Sequence, residues 1–384
     1  MRERWTRRQF LVTAGSAAAS IVAGASLGHA ARSPAPRRTP AASAGGKPRA
    51  GAVSAPLAAA AADLRRIVTD RALAVDDPWV LMHAVLPFGR DVRHGDEPVL
   101  DYVTRTWLEP VARGATQYPA FPLKVEAHPN HFLEIMYAID VPPERAFATR
   151  MGTVTRADLT RGAKALFTPA VLGDELSWTV SVFTADLKPD ADGFTNAEGR
   201  AFTVSAVVEA AAQAAEAGYA DTVAAMRGTK PYARSAVQAY ACNGTHVVYA
   251  VLDALRNGYH ANRLPARATV LLQAALYRLG PEVALIDQVI GAEPGSQLNA
   301  DAAKLQFLGH SLENLRFAER HGIYTPTAAE QAAVRTAEEQ LAAIAHRLTT
   351  TYDLDALARQ VPRAYSVVLG DACHALHAAE GDAA

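Results

Sequence analysis

The sequence predicts an all-α protein built as an (α/α)6 toroid, a closed double ring of six helical hairpins. Three observations predict it. Alanine, leucine, arginine and glutamate dominate the chain from residue 57 onward, strand-like alternation is almost absent, and Pro and Gly interrupt the runs as they do between helices. Amphipathic runs also alternate with runs that are apolar nearly all round. An open α-solenoid is the alternative arrangement of the same helical pairs.

Composition and charge exclude several classes of protein. The 384 residues are 50% hydrophobic and 20% charged, which excludes a disordered chain and a polytopic membrane protein. The formal net charge of −1 hides an asymmetry, because residues 1–56 hold nine of the 38 basic residues and one of the 39 acidic ones. Residues 57–384 therefore hold 29 basic and 38 acidic residues, and this acidic body argues against nucleic acid as a partner.

The first predicted element is an export signal at the N-terminus. Residues 6–12, Thr-Arg-Arg-Gln-Phe-Leu-Val, resemble the twin-arginine signal, and an apolar stretch follows over 10–27. Gly28-His29-Ala30 offers small residues for a signal peptidase, so cleavage is expected after Ala30. The export machinery is thus an expected partner, and the mature protein is expected in the periplasm or cell envelope without a stable membrane span. An uncut membrane anchor is the alternative.

A tether and one folded domain are predicted to follow the signal. Residues 31–56 carry five prolines among alanines, serines and glycines, a composition that cannot bury a core. The sequence therefore predicts a signal peptide over 1–30, a disordered linker over 31–56 and a single toroid domain over 57–384.

The two kinds of run define the predicted helices of the domain. A helix with one charged face lies at a surface, whereas one that is apolar all round is buried. The outer helices are predicted at 57–75, 97–109, 155–167, 198–218, 263–278 and 326–348. The inner helices are predicted at 78–88, 129–140, 174–186, 237–257, 302–320 and 364–379.

One polar or aromatic marker recurs in each inner run. The markers are His83, His131, Trp178, His246, His310 and His374, at spacings of 48, 47, 68, 64 and 64 residues. Spacings of this size are typical of one helical hairpin per repeat. In a closed ring, the imidazole groups of the five histidine markers would converge on the central axis.

Short motifs around these markers resemble a known group of proteins. The motifs are Leu86-Pro-Phe-Gly-Arg-Asp91, His128-Pro-Asn-His131, Cys242-Asn-Gly-Thr-His246 and Gly309-His-Ser-Leu-Glu313. Together they resemble uncharacterised exported all-helical proteins of planctomycete-type bacteria. The resemblance spans most of residues 75–380 and implies no activity.

The converging histidines predict a metal site. Neutral imidazole binds zinc or copper, a thiolate joins readily, and Cys242 and His246 are four residues apart, the spacing of two ligands on one helix face. The predicted ligands are His83, Cys242, His246 and His310. Buried histidines that are each satisfied by a neighbouring carbonyl are the alternative.

Catalytic residues are predicted around the same axis. His131 and His246 are the candidate acid–base groups, and Asp91, Glu313 and Arg90 are candidates to orient them or the substrate. Asp174, Glu175 and Asp371 are further carboxylates near inner helices, although Asp174 and Asp371 each follow a glycine and could simply cap helices.

The sequence thus predicts an exported enzyme with a His-rich axial pocket, with zinc or copper as its expected cofactor. Its ligand is expected to be a small molecule, a glycan or a peptide. A non-catalytic envelope binding or scaffold protein is the first alternative, and a polysaccharide hydrolase or lyase is the second. Cys242 and Cys373 are left open as free thiols or one disulfide.

Overall fold

A computed structural model describes residues 54–169, 173–293 and 295–381. The predicted signal peptide and most of the predicted linker lie outside the described residues. Of the described residues, 69% are helical and 9% are in strands, which confirms the all-α class. The helices are α1 (Ala55–Asp70), α2 (Pro78–Phe88), α3 (Val99–Trp107), α4 (Leu123–Glu126), α5 (His131–Ala138), α6 (Arg156–Leu166), α7 (Leu176–Asp186), α8 (Val204–Met226), α9 (Thr245–Arg256), α10 (Leu264–Ile286), α11 (Gln297–Arg320), α12 (Ala328–Thr350), α13 (Leu354–Gln360) and α14 (Pro362–Glu380).

In the described part of the chain, four antiparallel hairpins interrupt the helices, which the near absence of strand alternation did not predict. They pair β1 (Arg93–His94) with β2 (Glu97–Pro98), β3 (Glu109–Arg113) with β4 (Thr116–Ala120), β5 (Ala146–Thr149) with β6 (Gly152–Thr155), and β7 (Gly193–Thr195) with β8 (Ala201–Thr203). Each is a ribbon of two to five residues per strand, too short for periodicity to reveal. They are inserted between helices over residues 93–203.

Each helix that holds a marker residue contacts the next one. The order of contact is α2, α5, α7, α9, α11 and α14, and α14 also packs against α2. These helices are apolar on most sides, and α2 is buried from Val80 to Pro87. The amphipathic helices pack outside them: α8 contacts α10, α10 contacts α12, and α12 contacts α1.

Local sequence signals set where the helices begin. Asp77 accepts hydrogen bonds from the backbone N–H groups of Trp79 and Val80, and Pro78 occupies the first turn of α2, where its missing N–H costs nothing. Capping boxes begin two amphipathic helices, through Thr155 and Asp158 in α6 and through a Thr–Glu pair in α12. The Asp77 cap thus fixes where α2, the helix that carries His83, begins.

Two glycines let α14 approach its neighbours closely. A Cβ at Gly309 of α11 would lie 3.1–3.2 Å from atoms of Ala375, and a Cβ at Gly370 would lie 2.2 Å from the Trp79 ring. Small residues at these positions therefore bring α11 and α2 near enough to α14 for their inward side chains to meet.

One described segment has the length and composition of a membrane span. It is Ala261–Gly291, with mean hydropathy 1.2, but 56% of its most apolar stretch is buried inside the fold. That burial is expected of a helix that packs in a protein interior.

Candidate metal centre

The five marker histidines meet in one cluster, which we call the histidine cluster: His83, His131, His246, His310 and His374. The ring centroids of His310 and His374 are 3.9 Å apart, and those of His83 and His131 are 4.8 Å apart. His83 lies 5.0 Å from His374, and His246 lies 5.0 Å from His310. The widest of the neighbouring separations, between His131 and His246, is 6.5 Å. Five helices separated along the chain thus place their imidazoles in mutual contact.

The sixth helix of this set, α7, contributes an indole. The Trp178 ring lies 4.8 Å from the ring of His246 and 5.6 Å from that of His131. Its other side stacks on His128, at 3.9 Å and 7° between planes. His128 in turn lies within hydrogen-bond distance of the Glu175 carboxylate. Trp178 therefore closes the apolar side of the cluster.

Main-chain and carboxylate acceptors fix how four of the rings are protonated. A carbonyl oxygen only accepts, so an Nδ1 atom beside one must carry the proton, which leaves Nε2 with a free lone pair. The acceptors are the carbonyl of Trp79 for His83, that of Glu126 for His131, that of Gln306 for His310 and the carboxylate of Glu313 for His374. This is the arrangement that orients metal-binding imidazoles in proteins.

Burial favours the neutral form of four imidazoles of the cluster, those of His83, His131, His246 and His310. It lowers the pKa values of His83, His131 and His246 well below the usual 6.5, with repulsion from neighbouring imidazolium forms adding to the shift. Burial and the nearby His374 lower the pKa of His310 to about 3. Neutral imidazole is the form that binds a metal ion.

Three side chains of the region present ligand atoms close enough for one ion. Sγ of Cys242 and one ring nitrogen each of His246 and His310 all lie within 4.8 Å of one another. Tetrahedral zinc, with bonds of about 2.0–2.3 Å, spaces its ligands roughly 3.3–3.8 Å apart. A side-chain movement of about 1 Å would therefore close the three atoms onto an ion. Nε2 of His310 is buried and has no hydrogen-bond partner among the described residues.

Cys242 reaches His246 by a route that the sequence did not predict. The four-residue spacing predicted that both lie on one helix face, but this is wrong: α9 begins only at Thr245. Cys242, Asn243 and Gly244 instead adopt left-handed backbone conformations with φ of 47°, 57° and 73°. The tight turn that they form brings the thiol back over the first turn of α9. Non-glycine residues rarely adopt this conformation, and such strain persists where surrounding structure enforces it.

Arg278 of α10 supports this turn from inside the protein. Its guanidinium is fully buried, donates to the carbonyl of Asn243 at 2.8 Å, and forms an ion pair with Glu282 at 3.0 Å. It also donates to the hydroxyl of Tyr219, which itself donates to the carbonyl of Gly244. The sequence offered no signal for this role, because Arg278 lies in an amphipathic helix far from any marker.

A cavity of about 260 Å³ is lined by Cys242 of the candidate centre. Asn243, Gln306, Asp371, Arg234 and Arg363 are among its other lining residues. One wall is apolar: it is formed by Leu285, Ile286, Val289, Ile290, Val367 and Val368. The thiol of the candidate centre therefore faces a space that a small molecule can enter.

Asp371 places a buried carboxyl group at this cavity. It is 1% exposed, and its Oδ2 has no hydrogen-bond partner among the described residues. Burial raises its pKa well above the usual value, and Gln306 hydrogen bonds the carboxyl group. The prediction that this residue caps a helix is wrong, because it lies inside α14, nine residues from its start. Its negative form would also raise the pKa of the Cys242 thiol, which burial already raises.

Two predicted site residues lie elsewhere. Arg90 and Asp91 are exposed in the turn after α2, and Arg90 hydrogen bonds the backbone carbonyl of Asp140 at 3.4 Å. The prediction that they orient the site residues is therefore wrong.

Glu313, by contrast, accepts hydrogen bonds from His374 and His377 inside the protein. Cys242 and Cys373 are free cysteines, so no disulfide joins them.

Comparison with protein-family models, with curated proteins and with solved structures finds no match. No family is shown for this chain. The resemblance to exported proteins of planctomycete-type bacteria stays a prediction, and function is inferred from the geometry of this site.

Proposed function

We propose that this chain is an exported enzyme that uses a metal ion held by Cys242, His246 and His310. The observation that carries the proposal is the approach of these three ligand atoms to within 4.8 Å of one another, one of them belonging to Cys242, which lines a cavity. The predicted twin-arginine signal supports export and a destination in the periplasm or envelope. That route carries proteins across the membrane in the folded state, which is compatible with a metal bound before export.

We infer that the helices form the closed (α/α)6 toroid rather than an open solenoid. The support is the cyclic contact of six helices, in which α14 packs against α2 as well as α11. In an open solenoid the first and last repeats do not meet. A closed ring also accounts for the cluster, since side chains from the first and last inner helices, His83 and His374, lie 5.0 Å apart.

Zinc is the ion we expect, and copper is the alternative. Both accept two imidazoles and a thiolate. Three protein ligands with a fourth side open to a cavity are typical of catalytic zinc, whereas structural zinc is enclosed by four ligands. His83 and His131, which were predicted as a ligand and as an acid–base group, would act from the other side of the cluster by excluding water and holding the rings in place.

Hydrolysis of an acyl compound is the reaction that these groups support best. A bound zinc ion supplies a Lewis acid that polarises a carbonyl or a water molecule. Asp371, kept protonated by its burial, can donate that proton to the departing group as the acyl–heteroatom bond breaks. The oxygen of water bonds to the acyl carbon, and a proton from that water restores Asp371.

The earlier alternatives predict different sites. A polysaccharide cleft is usually lined by several aromatic side chains, but Trp79 is the one Trp, Tyr or Phe among the described residues that line this cavity. A non-catalytic binding protein would use the same cavity without an ion. Metal analysis therefore separates the binding protein from the enzyme proposed here.

The test is the metal content of the full chain after purification without chelators. We expect about one zinc ion per chain, and substitution of cobalt should give the charge-transfer absorption of a cobalt–thiolate bond. Cys242→Ser should remove that absorption, and His310→Gln should lower the metal content. His260→Gln, at an exposed histidine, is the matched control. A folded wild-type chain that takes up neither zinc nor copper would refute the proposal.

A further inference from the structure

The lining of the cavity is partly aliphatic, which indicates the kind of ligand it can bind. One wall is aliphatic, and Val289, on the turn after α10, is 49% exposed, one of two large hydrophobic side chains among the described residues that are so exposed. Exposing aliphatic surface to water at a concave site is unfavourable unless a ligand covers it. This lining therefore favours a ligand that has an apolar part.

Two arginines give the same cavity a positive charge. Arg234 and Arg363 both line it and are both exposed, and neither forms an ion pair or a hydrogen bond with another described residue. The guanidinium carbon of Arg363 lies over the Trp79 ring, 5.6 Å from its centroid. Guanidinium groups of this kind bind carboxylate or phosphate through paired hydrogen bonds.

The acidic side chains of the lining do not cancel this charge. Glu282 forms an ion pair with the buried Arg278, and burial raises the pKa of Asp371 well above its usual value, which disfavours the charged form of its carboxyl group. The cavity is thus cationic in a body that holds 38 acidic and 29 basic residues between 57 and 384. Such a local reversal of sign draws anions toward the site.

We propose that the cavity binds an amphiphilic anion, a short aliphatic chain linked to a carboxylate or phosphate group. The chain lies against Leu285, Ile290 and Val367, and the anionic group lies between Arg234 and Arg363. The volume of about 260 Å³ equals that of roughly nine water molecules at about 30 Å³ each. A ligand of about ten non-hydrogen atoms therefore fits. That such an anion is the substrate rests on the proposed function, whereas its binding rests on the lining of the cavity alone.

The experiment is calorimetric titration of the full chain with four probes that share one chain length: octanoate, octyl phosphate, octanol and octyltrimethylammonium. We expect both anions to bind and the cation not to bind, and added salt to weaken the anions because it screens the arginines. The stronger of the two anions identifies the headgroup. Equal binding of the cation and the anions would overturn the proposal.

Variants assign the binding to the two arginines. The double variant Arg234→Ala/Arg363→Ala should weaken octanoate binding about tenfold or more and leave octanol unchanged. Arg150→Ala/Arg335→Ala, at two exposed arginines outside the cavity, is the matched control and should bind like the wild type. Wild-type affinity in the first variant would refute the assignment.

Repeating the titration after chelation separates the two proposals. Anion binding to chain that never takes up metal would leave the cavity assignment intact while refuting the metal enzyme. Metal uptake without anion binding would do the reverse.

Discussion

The carboxylate of Glu313 accepts a hydrogen bond from Nδ1 of His374 at 2.8 Å, although the two residues are 61 positions apart and belong to different helices. The second oxygen of Glu313 accepts from His377 at 2.6 Å. The two hydrogen bonds and the charge interactions with these imidazoles lower the pKa of Glu313 well below its usual value, against the opposing effect of burial, which raises it. One buried anion thus orients two imidazoles of α14, and it fixes the face that His374 presents to His310.

Glu313→Gln should destabilise the folded protein by about 1–3 kcal/mol, because the amide replaces one of two acceptor oxygens with a donor and leaves an imidazole N–H unsatisfied. Urea denaturation followed by circular dichroism measures this loss. Glu339→Gln, at an exposed position of α12, is the control and should change the free energy of unfolding by less than about 0.5 kcal/mol. Equal stability of the two variants would contradict the role of Glu313.

Arg278→Met should weaken zinc binding about 10–100-fold, since the turn that presents Cys242 loses the guanidinium that binds the carbonyl of Asn243. Competition with a chromogenic chelator measures the affinity. Arg267→Met, on the same helix but paired with the partly exposed Glu209 and Glu216, is the matched control and should keep the wild-type affinity. If both variants bind zinc equally, the turn does not depend on Arg278.

Gly244→Ala should destabilise the protein more than Gly228→Ala does. Both glycines have left-handed backbone, with φ of 73° and 71°, so each alanine pays roughly 1–2 kcal/mol of conformational strain. Only at Gly244 would the new Cβ lie 2.5 Å from a methyl carbon of Val237, whereas nothing lies within 4 Å of a Cβ at Gly228. The difference between the two melting temperatures therefore reports the crowding beneath Cys242, and equal melting temperatures would show that the turn can relax.

The sequence predicted the helices of this fold better than it predicted the site. Alternation of amphipathic and apolar runs located the twelve main helices. A helix buried on one side has periodic apolar residues, and a helix buried all round is a continuous apolar run. The predicted start of the inner run at 237 was wrong, since α9 begins at Thr245 after left-handed turns that spacing does not reveal. Local pattern failed in the same way at the four hairpins.

The recurring marker pointed to the residues that meet, but not to what each one does. His83, His131, His246, His310 and His374 share one position in successive repeats, which is visible in the sequence. Asp371 and Arg278 act through neighbours brought close only by tertiary packing, so their roles are not visible there. Arg90 and Asp91 belong to a motif at an exposed turn, and such a polar motif looks the same in sequence as one at a functional site.

Stability of the metal-free protein should fall in acid because of neutral histidines such as His83. Burial lowers the pKa of His83 in the folded state below the 6.5 of the unfolded chain, so the unfolded chain binds a proton below pH 6.5 that the folded protein does not. The part of the free energy of unfolding that depends on neutral His83 is therefore at its full value above pH 6.5. Below that pH it decreases by about 1.4 kcal/mol per pH unit.

The difference in unfolding free energy between wild type and His83→Gln isolates this effect from other groups. That difference should shrink as the pH is lowered from 6.5 toward 4.5. Subtraction is needed because Glu126 and Glu134, whose pKa values burial raises to about 8, stabilise the folded protein as the pH falls over the same range. A difference that does not vary with pH would show that His83 takes up a proton inside the folded protein.

Asp371→Asn should abolish the hydrolysis of an amide while sparing that of an activated ester, because the asparagine cannot donate a proton to the departing group. N-hexanoylglycine is the amide probe, chosen for its short chain and carboxylate, and its turnover should fall about 10²–10⁴-fold. p-Nitrophenyl hexanoate releases a phenolate that needs no proton, so its turnover should change little. Release of glycine and of nitrophenolate measures the two rates, and the zinc content of the variant should equal that of the wild type. Equal losses on both probes would mean that Asp371 positions groups rather than donating a proton, and no loss on either would remove it from the reaction.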